Sequence, residues 1–377
     1  MNARTGERSV SDEIQARKAE HLRTAAEADV ASRRSPGFED VHLVHDALPE
    51  IDLDAIETSV ELLGARLRLP LVIAAMTGGH AEGGRVNGIL ARAAERHGIA
   101  MGVGSQRAAL VDPRVRDTYA ITREQAPSAF LIANIGATQL VAQGDQPAVT
   151  VGQVEDLVAT IGANALAVHL NPLQELVQTE GERQMGGQQA AIARLVRGSG
   201  VPVIAKETGG GVSEAVARRL AGAGVAAIDV GGVGGTSFAA IEALRAEERG
   251  DVRGVLLGAL LRDWGIPTVA SVSLAGRAGL PIIATGGIRS GLDAAKAIAM
   301  GATAVGVARP LLHAALEGGE TAIDAWIDRF ATELTAAMFL TGSADIGALS
   351  RQQPVVVGAT AAWLAKGGTD DPALPAR

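Results

Sequence analysis

Ala284-Thr285-Gly286-Gly287-Ile288-Arg289-Ser290-Gly291 carries the end of an apolar run through paired glycines into a helix start. A second segment, Gly301-Ala302-Thr303-Ala304-Val305-Gly306-Val307-Ala308-Arg309-Pro310, makes a similar passage further along. Glycines let a backbone approach an anion closely, and the free N–H groups of a helix start bind phosphate. In barrels of alternating strands and helices the phosphate site commonly follows strands seven and eight. Read alone, the same glycines are tight turns, so the surrounding chain has to decide.

Working back from this stretch, short apolar runs alternate with amphipathic ones, the pattern of repeated βα units around a parallel sheet. Eight strands are expected: Leu71 to Ala75, Ile99 to Val103, Phe130 to Asn134, Ala165 to His169, Val201 to Lys206, Ala226 to Val230, Pro281 to Thr285 and Ala304 to Val307. Between the first two, Val86, Ile89, Leu90, Ala93 and Ala94 share a helical face, and Gly98 supplies the stop. Ser213 caps a later helix. Ser290 and Asp293 are spaced as a capping box, with Leu292, Ala295 and Ile298 facing inward and Gly301 ending the helix. An open doubly wound sheet shares this local pattern. Strand count and the polar residues just past the strand ends (Thr77, Ser105, Asn134, His169, Lys206, Gly286) favour an α/β fold of the TIM (β/α)8 barrel type.

The barrel is expected over residues 51–345, behind an N-terminal extension, 1–50, and ahead of a C-terminal segment, 346–377, whose end after about Lys366 reads as disordered. The extension contains a helical stretch, Ile14 to Ala28, carrying Arg17, Lys18, His21 and Arg23 on nearby turns. Long connections at about 170–200 and 231–280 read as lids or substrate loops.

Composition narrows the function. The 377 residues have a formal charge of −8 and 2% aromatics, which leaves neither a basic groove nor stacking platforms for nucleic acid. With no cysteine there is no disulfide, thiolate nucleophile or iron–sulfur ligand, which suits a reducing cytoplasm. No signal-peptide core and no run of about 18 apolar residues is present, so no membrane contact is expected.

The polar strand ends supply candidate chemistry. His169-Leu170-Asn171-Pro172-Leu173-Gln174-Glu175 gathers a titratable ring, two amides and a carboxylate in one loop, suited to polar recognition and proton handling, and Glu175 is able to hold Mg²⁺. Lys206, beside Glu207, points a cation at the mouth for a flavin ring or a phosphate; a structural ion pair is the alternative. Gly231-Gly232-Val233-Gly234-Gly235-Thr236 offers only a fragment of the dinucleotide fingerprint, with Ser237 where the third glycine belongs.

Taken together, Arg17-Lys18-Ala19-Glu20-His21-Leu22, Met76-Thr77-Gly78-Gly79, Gly104-Ser105-Gln106-Arg107, Asn134-Ile135-Gly136, the His169–Glu175 loop, Lys206-Glu207, Gly234-Gly235-Thr236 and Gly286-Gly287-Ile288-Arg289 resemble, in order, the motif set of the type 2 isopentenyl-diphosphate isomerases. The resemblance spans about Arg17 to Arg309. It implies interconversion of isopentenyl and dimethylallyl diphosphates with FMN, Mg²⁺ and NADPH, the last reducing the flavin without being consumed in proportion to product. By position it implies that Met76, Thr77, Gly78, Ser105, Asn134, Lys206, Thr236, Gly286, Gly287, Arg289, Ala308 and Arg309 hold FMN. Arg17, Lys18, His21, His169, Asn171, Gln174 and Thr208 would bind or orient the diphosphate, with Gln174, His169 and Asn171 in the chemistry and Glu175 on Mg²⁺. It also implies a homo-oligomer, a tetramer or larger. Gly210 and Gly181-Glu182 depart from the usual pattern, and neither is expected to touch a residue assigned chemistry.

The main rival is an FMN-dependent 2-hydroxy acid oxidoreductase, which shares the Gly-Gly-x-Arg loop. That chemistry needs a histidine base shortly before the loop, and Gly254 to Thr285 contains none. A non-catalytic flavin-binding barrel would have no use for the polar loop, yet His169, Asn171, Gln174 and Glu175 are all in place.

Overall fold

A computed structural model describes residues 10–366. Eight parallel strands close a barrel in sequence order: β1 Leu71–Ile73, β2 Ala100–Gly102, β3 Leu131–Gly136, β4 Ala165–Leu170, β5 Val203–Glu207, β6 Ala227–Asp229, β7 Ile282–Thr285 and β8 Ala304–Val307, with β8 paired back to β1. Each falls on an expected run, trimmed or extended by a few residues at the ends where the ladder stops. The expected disorder after Lys366 lies outside the described residues.

The period-2 alternation of strand side chains sorts the barrel into two cores. Val72, Ala100, Ile132, Ala167, Ile204, Ala227 and Ile283 fill the interior, while Leu71, Ile73, Leu131, Leu166 and Val168 face the helices. The floor is plugged by Leu62 and Leu67 from an antiparallel hairpin, Val60–Leu62 with Ala65–Leu67. Continuing the inward set by two residues puts Asn134, His169, Lys206, Asp229 and Thr285 in the top layer, at the mouth. The ladder brings Gly136, His169, Lys206 and Asp229 side by side across four strands.

The helices that shape the mouth are α1 Val10–Glu27, α2 Ala81–His97, α3 Pro172–Val177, α4 Phe238–Glu248, α5 Val252–Leu261, α6 Gly291–Ala299 and α7 Arg309–Glu317. In α2 the five apolar residues are buried and Gly98 ends the helix in the left-handed region at φ 61°. Ser213 caps its helix through Val216 N–H. α6 departs from expectation twice. Ser290 accepts from Asp293 N–H, but the Asp293 carboxylate turns to Arg289 N–H, so the reciprocal half of the box is absent. Leu292 is 45% exposed while Ala295 and Ile298 are fully buried, because each three-residue step slips by about 60° around the helix and leaves Leu292 about 120° from Ile298. The long connections carry α3 in the first and α4 with α5 in the second.

At the far end of the chain, Val355–Val356 pairs antiparallel with Val41–His42, tying the C-terminal segment to the N-terminal one. No described helix is long and apolar enough to cross a membrane.

Candidate active site

The mouth opens on a cavity of about 480 Å³, the size of a cofactor or ligand site. Every candidate residue named from the sequence lines it, from Arg17, Lys18 and His21 on α1 to Ala308 and Arg309 at the start of α7. The cavity thus joins an anion cradle over β7 and β8 to a polar cluster over β4 and β5.

The cradle needs glycine. Gly286 and Gly287 have φ of 118° and 77°, and a Cβ on Gly286 would lie 2.2 Å from the Gly232 carbonyl oxygen. Thr268 Oγ1 donates to Gly286 O at 2.7 Å and fixes the turn. Next to it α7 begins after the N-cap Ala308 and adds the positive end of its dipole, although Pro310 has no N–H and the Leu311 and Leu312 N–H groups already donate to Ala308 O. Beside both, Thr285 Oγ1 is buried without a partner. A phosphate with a polyhydroxyl chain satisfies that set: donors for the anion, and hydroxyls for an orphaned polar atom. FMN has that chemistry, and the residues fit it.

Over β4 and β5, Asn134 Nδ2 donates to Val103 O at 3.0 Å, which turns Asn134 Oδ1 toward His169 Nδ1 at 2.9 Å. His169 Nδ1 therefore carries the proton and Nε2 is left as the free nitrogen. Burial, then the charges of Lys206, Lys18 and Arg107, push His169 down to about 3, so the ring is neutral. Lys206 Nζ lies 3.1 Å from Asp229 Oδ2, both nearly buried, so its charge is shared before any ligand arrives. Glu207 points away from the mouth and accepts from the N–H groups of Gly209, Gly210 and Gly211, shaping the turn that presents Thr208. Burial, against those three donors, raises Glu207 to about 7.

In α3, Asn171 Nδ2 donates to Glu175 Oε1 at 2.9 Å and reaches Gln174 Oε1 at 3.3 Å, while Asn171 Oδ1 is buried with no partner. Gln174 Nε2 donates to Glu242 Oε1 at 3.0 Å, and His21 Nε2 meets the same oxygen at 2.8 Å. Glu242 is also paired with Arg245, which reaches on to Glu20 and Glu180. Despite the cost of burial, hydrogen bonding from His21 and the neighbouring charges hold Glu242 at about 2. Burial moves Glu175 the other way, upward, with Glu182 adding to it. Here one expectation fails: Glu182 N–H donates to Glu175 Oε2 at 2.7 Å, so the Gly181-Glu182 departure does touch a residue assigned chemistry. The reason is the tight turn after α3, where a Cβ on Gly181 would sit 1.9 Å from Glu175 O.

α1 closes the cavity. Lys18 Nζ donates to Ser105 O at 2.7 Å, and Tyr119 Oη donates to the same carbonyl at 2.8 Å. Burial, then Arg17, lowers Lys18 to about 7. Ile14 and Leu22 are the helix's buried apolar side chains, each worth roughly 1.5–3 kcal/mol, a thin anchor for 18 residues. Polar contacts therefore decide whether α1 stays down.

Sequence reading missed Glu242, Arg245, Asp229 and Thr285. Glu242 and Arg245 interrupt an otherwise apolar buried set of Ala239, Ala240, Ile241 and Ala246, and a charge pair spaced i,i+3 within it was the available signal. Asp229 and Thr285 follow from the strand period once Lys206 and Gly286 are placed.

Residues 10–355 match the FMN-dependent dehydrogenase family. The chain is 49% identical over 353 residues to the isopentenyl-diphosphate delta-isomerase of Methanosarcina barkeri, covering 93% of this chain and 94% of that one. It is 45% identical over 356 residues to the enzyme of the same name from Methanothermobacter thermautotrophicus, covering 94% and 97%. Among solved structures, a provisionally assigned lactate oxidase of Pediococcus acidilactici superposes with a TM-score of 0.62 at 16% identity, covering 94% of this chain and 96% of that one. A mandelate oxidase variant with (S)-mandelic acid gives 0.59 at 20%, covering 93% and 100%. At those identities the likeness concerns the barrel and not the reaction.

Proposed function

The chain belongs to the isopentenyl-diphosphate delta-isomerases within the FMN-dependent dehydrogenase family, and from that premise we propose that it interconverts isopentenyl and dimethylallyl diphosphates in this cavity. The observation that carries the reading is that Gln174 and His21, both held by the buried Glu242, line the same cavity as the phosphate cradle.

Gly286, Gly287, Arg289, Ala308 and Arg309 would receive the FMN phosphate, with Met76, Thr77, Gly78, Ser105, Asn134, Lys206 and Thr236 along the rest of the cofactor. Bound in reduced form, FMN supplies acid–base capacity that side chains of ordinary pKa lack. Arg17, Lys18, His21, His169, Asn171 and Thr208 grip and orient the diphosphate, so that its charge pins the hydrocarbon in one pose. The reaction adds a proton at one end of an allylic unit and removes one from the other. Gln174 borders the reacting carbons with its amide fixed: nitrogen toward Glu242, oxygen toward Asn171. Glu242, kept ionised, anchors that amide and stabilises positive charge developing beside it. α1 and its two apolar contacts exclude water.

For the divalent cation, Glu175 contributes one carboxylate, and phosphate oxygens with water would complete an octahedral shell. Among the described residues no group of three or more acidic, His or Cys side chains forms a metal site, so Mg²⁺ would arrive with the substrate. NADPH is the proposed electron source for the flavin, and the cytoplasm the proposed compartment.

The test is anaerobic incubation with FMN, Mg²⁺, NADPH and isopentenyl diphosphate in deuterated water, followed by proton NMR. Many product molecules per NADPH oxidised, with solvent deuterium in the product, are expected. Reducible flavin with neither product nor exchange would overturn the assignment.

A further inference from the structure

His80 stands just outside the cavity, at the step from β1 into α2, and its two ring nitrogens have different partners. As the N-cap of α2 its Nδ1 accepts from Gly83 N–H at 3.3 Å, so Nδ1 carries no hydrogen. Burial, then the charge of Lys18, lowers His80 from its ordinary value, with Glu82 opposing, and the ring is neutral. A neutral imidazole that accepts at one nitrogen donates at the other. Nε2–H is therefore given to the buried Thr77 Oγ1, 3.3 Å away.

Thr77 is otherwise fixed by its backbone, its carbonyl oxygen accepting from Gly104 N–H at 2.8 Å and from Asn87 Nδ2 at 3.3 Å. The residue lines the cavity with Met76 and Gly78. Among the described residues its hydroxyl has no protein acceptor for its own hydrogen. Room for the pair comes from Gly83, where a Cβ would lie 2.6 Å from Thr77 Oγ1 and 2.9 Å from His80 Nε2. Glycine weakens a helix relative to alanine, and space for these two side chains accounts for it in the first turn of α2.

We propose that His80 is a positioning residue for the flavin: by donating to Thr77 Oγ1 it commits the threonine hydroxyl to donate into the cavity, to an acceptor atom of the FMN ring. The inference rests on FMN occupying the cavity. A free hydroxyl rotates and serves as donor or acceptor alike. Held as a donor, it favours the reduced ring over the oxidised one, because negative charge grows on the ring's acceptor atoms as electrons enter. Lys206 tunes the same property by charge from β5, across the barrel, whereas His80 acts by fixing where one hydrogen points.

The test uses the full chain with FMN bound, and FMN content is measured first. A parent chain that takes up no FMN sinks the reading of the cavity, whereas bound FMN with the results below unmet sinks only this inference. H80N keeps a side-chain acceptor at the N-cap but lacks the second donor, so dichroism, thermal midpoint and FMN content should match the parent. The ratio of reduced to oxidised bound FMN at a given potential should fall roughly three- to tenfold, the range of one hydrogen bond, read as a midpoint ~15–30 mV lower for two electrons. T77V should show the same fall, and H80N/T77V no further one. In the parent, nitrogen-15 NMR should find His80 protonated on Nε2, a measurement that needs no variant. A hydrogen on Nδ1, a midpoint unmoved in H80N, or a further fall when H80N is added to T77V would each overturn the proposal. So would a changed FMN affinity at an unmoved midpoint, which would put the hydroxyl on the sugar-alcohol chain instead.

Discussion

At the scale of single residues, the site is governed by which charges are already shared. Glu242 accepts from both Gln174 and His21, so E242Q removes the charge that orients them while keeping the shape. A fall in kcat of about 10²–10⁴ is expected, with KM changed much less; a loss confined to KM would show that Glu242 merely seats His21. Lys18 gives a pH dependence with a definite sign. Lowered to about 7, it is an ammonium below that pH and loses its charge above it, while an arriving diphosphate draws the proton back. KM should therefore rise as pH passes about 7, and diphosphate binding at pH 8 should take up protons, seen as buffer-dependent heat in calorimetry. K18R should carry the low-KM range to higher pH, and a profile identical in K18R would rule Lys18 out as its source. Asp229 pairs with Lys206 at 3.1 Å. D229N leaves a full positive charge at the mouth, so the potential of bound FMN should rise by ~30 mV or more, about 1.4 kcal/mol for two electrons. An unmoved potential would place Lys206 away from the flavin.

Elements decide what can be read from sequence. β1 to β8 were legible because each is a buried apolar run, most of them ended by glycine or a polar residue, and a parallel barrel strand is apolar on both faces. The cradle was legible because positive φ at Gly286 and Gly287 requires glycine. Glu242 was not, since it lies on α4 within a long connection and acquires its meaning only when α3 and α1 are brought to it. Glu182 was hidden for a similar reason, as its contact to Glu175 runs through backbone N–H, which no side-chain pattern reports. Leu292 shows the opposite failure, where three-residue steps name one face although the first and last members point about 120° apart. The cradle yields a prediction at this scale. G286A places a Cβ 2.2 Å from Gly232 O at a φ that alanine rarely adopts, so the turn has to move. FMN affinity of the apoprotein, followed by quenching of flavin fluorescence, should fall at least 100-fold while the barrel stays folded. Affinity within threefold of the parent would mean that the phosphate sits elsewhere.

Across the whole molecule, the eight strand ends form a rigid rim and α1 is a separately held cover. The rim rests on two continuous cores, one inside the barrel and one beneath the helices, whereas α1 adds Ile14 and Leu22 and otherwise depends on polar contacts. Several of those contacts, from Arg17, Lys18 and His21, come from the same groups that would bind diphosphate, so ligand and cover stabilise each other. A ligand at about 100 times its Kd adds roughly 2.7 kcal/mol to whichever state binds it. If that state is the closed one, the gain appears mainly in the opening of α1 and not in the strands, which already exchange through deeper unfolding. Hydrogen exchange on the FMN-loaded protein should therefore show α1 amides slowed by up to about 100-fold when isopentenyl diphosphate and Mg²⁺ are added, with β3 and β4 unchanged. R17A/K18A should abolish the slowing in α1 while leaving FMN content intact. Equal protection of α1 and the strands would mean that the ligand tightens the barrel as one unit, and α1 would then be part of the rim and not its cover.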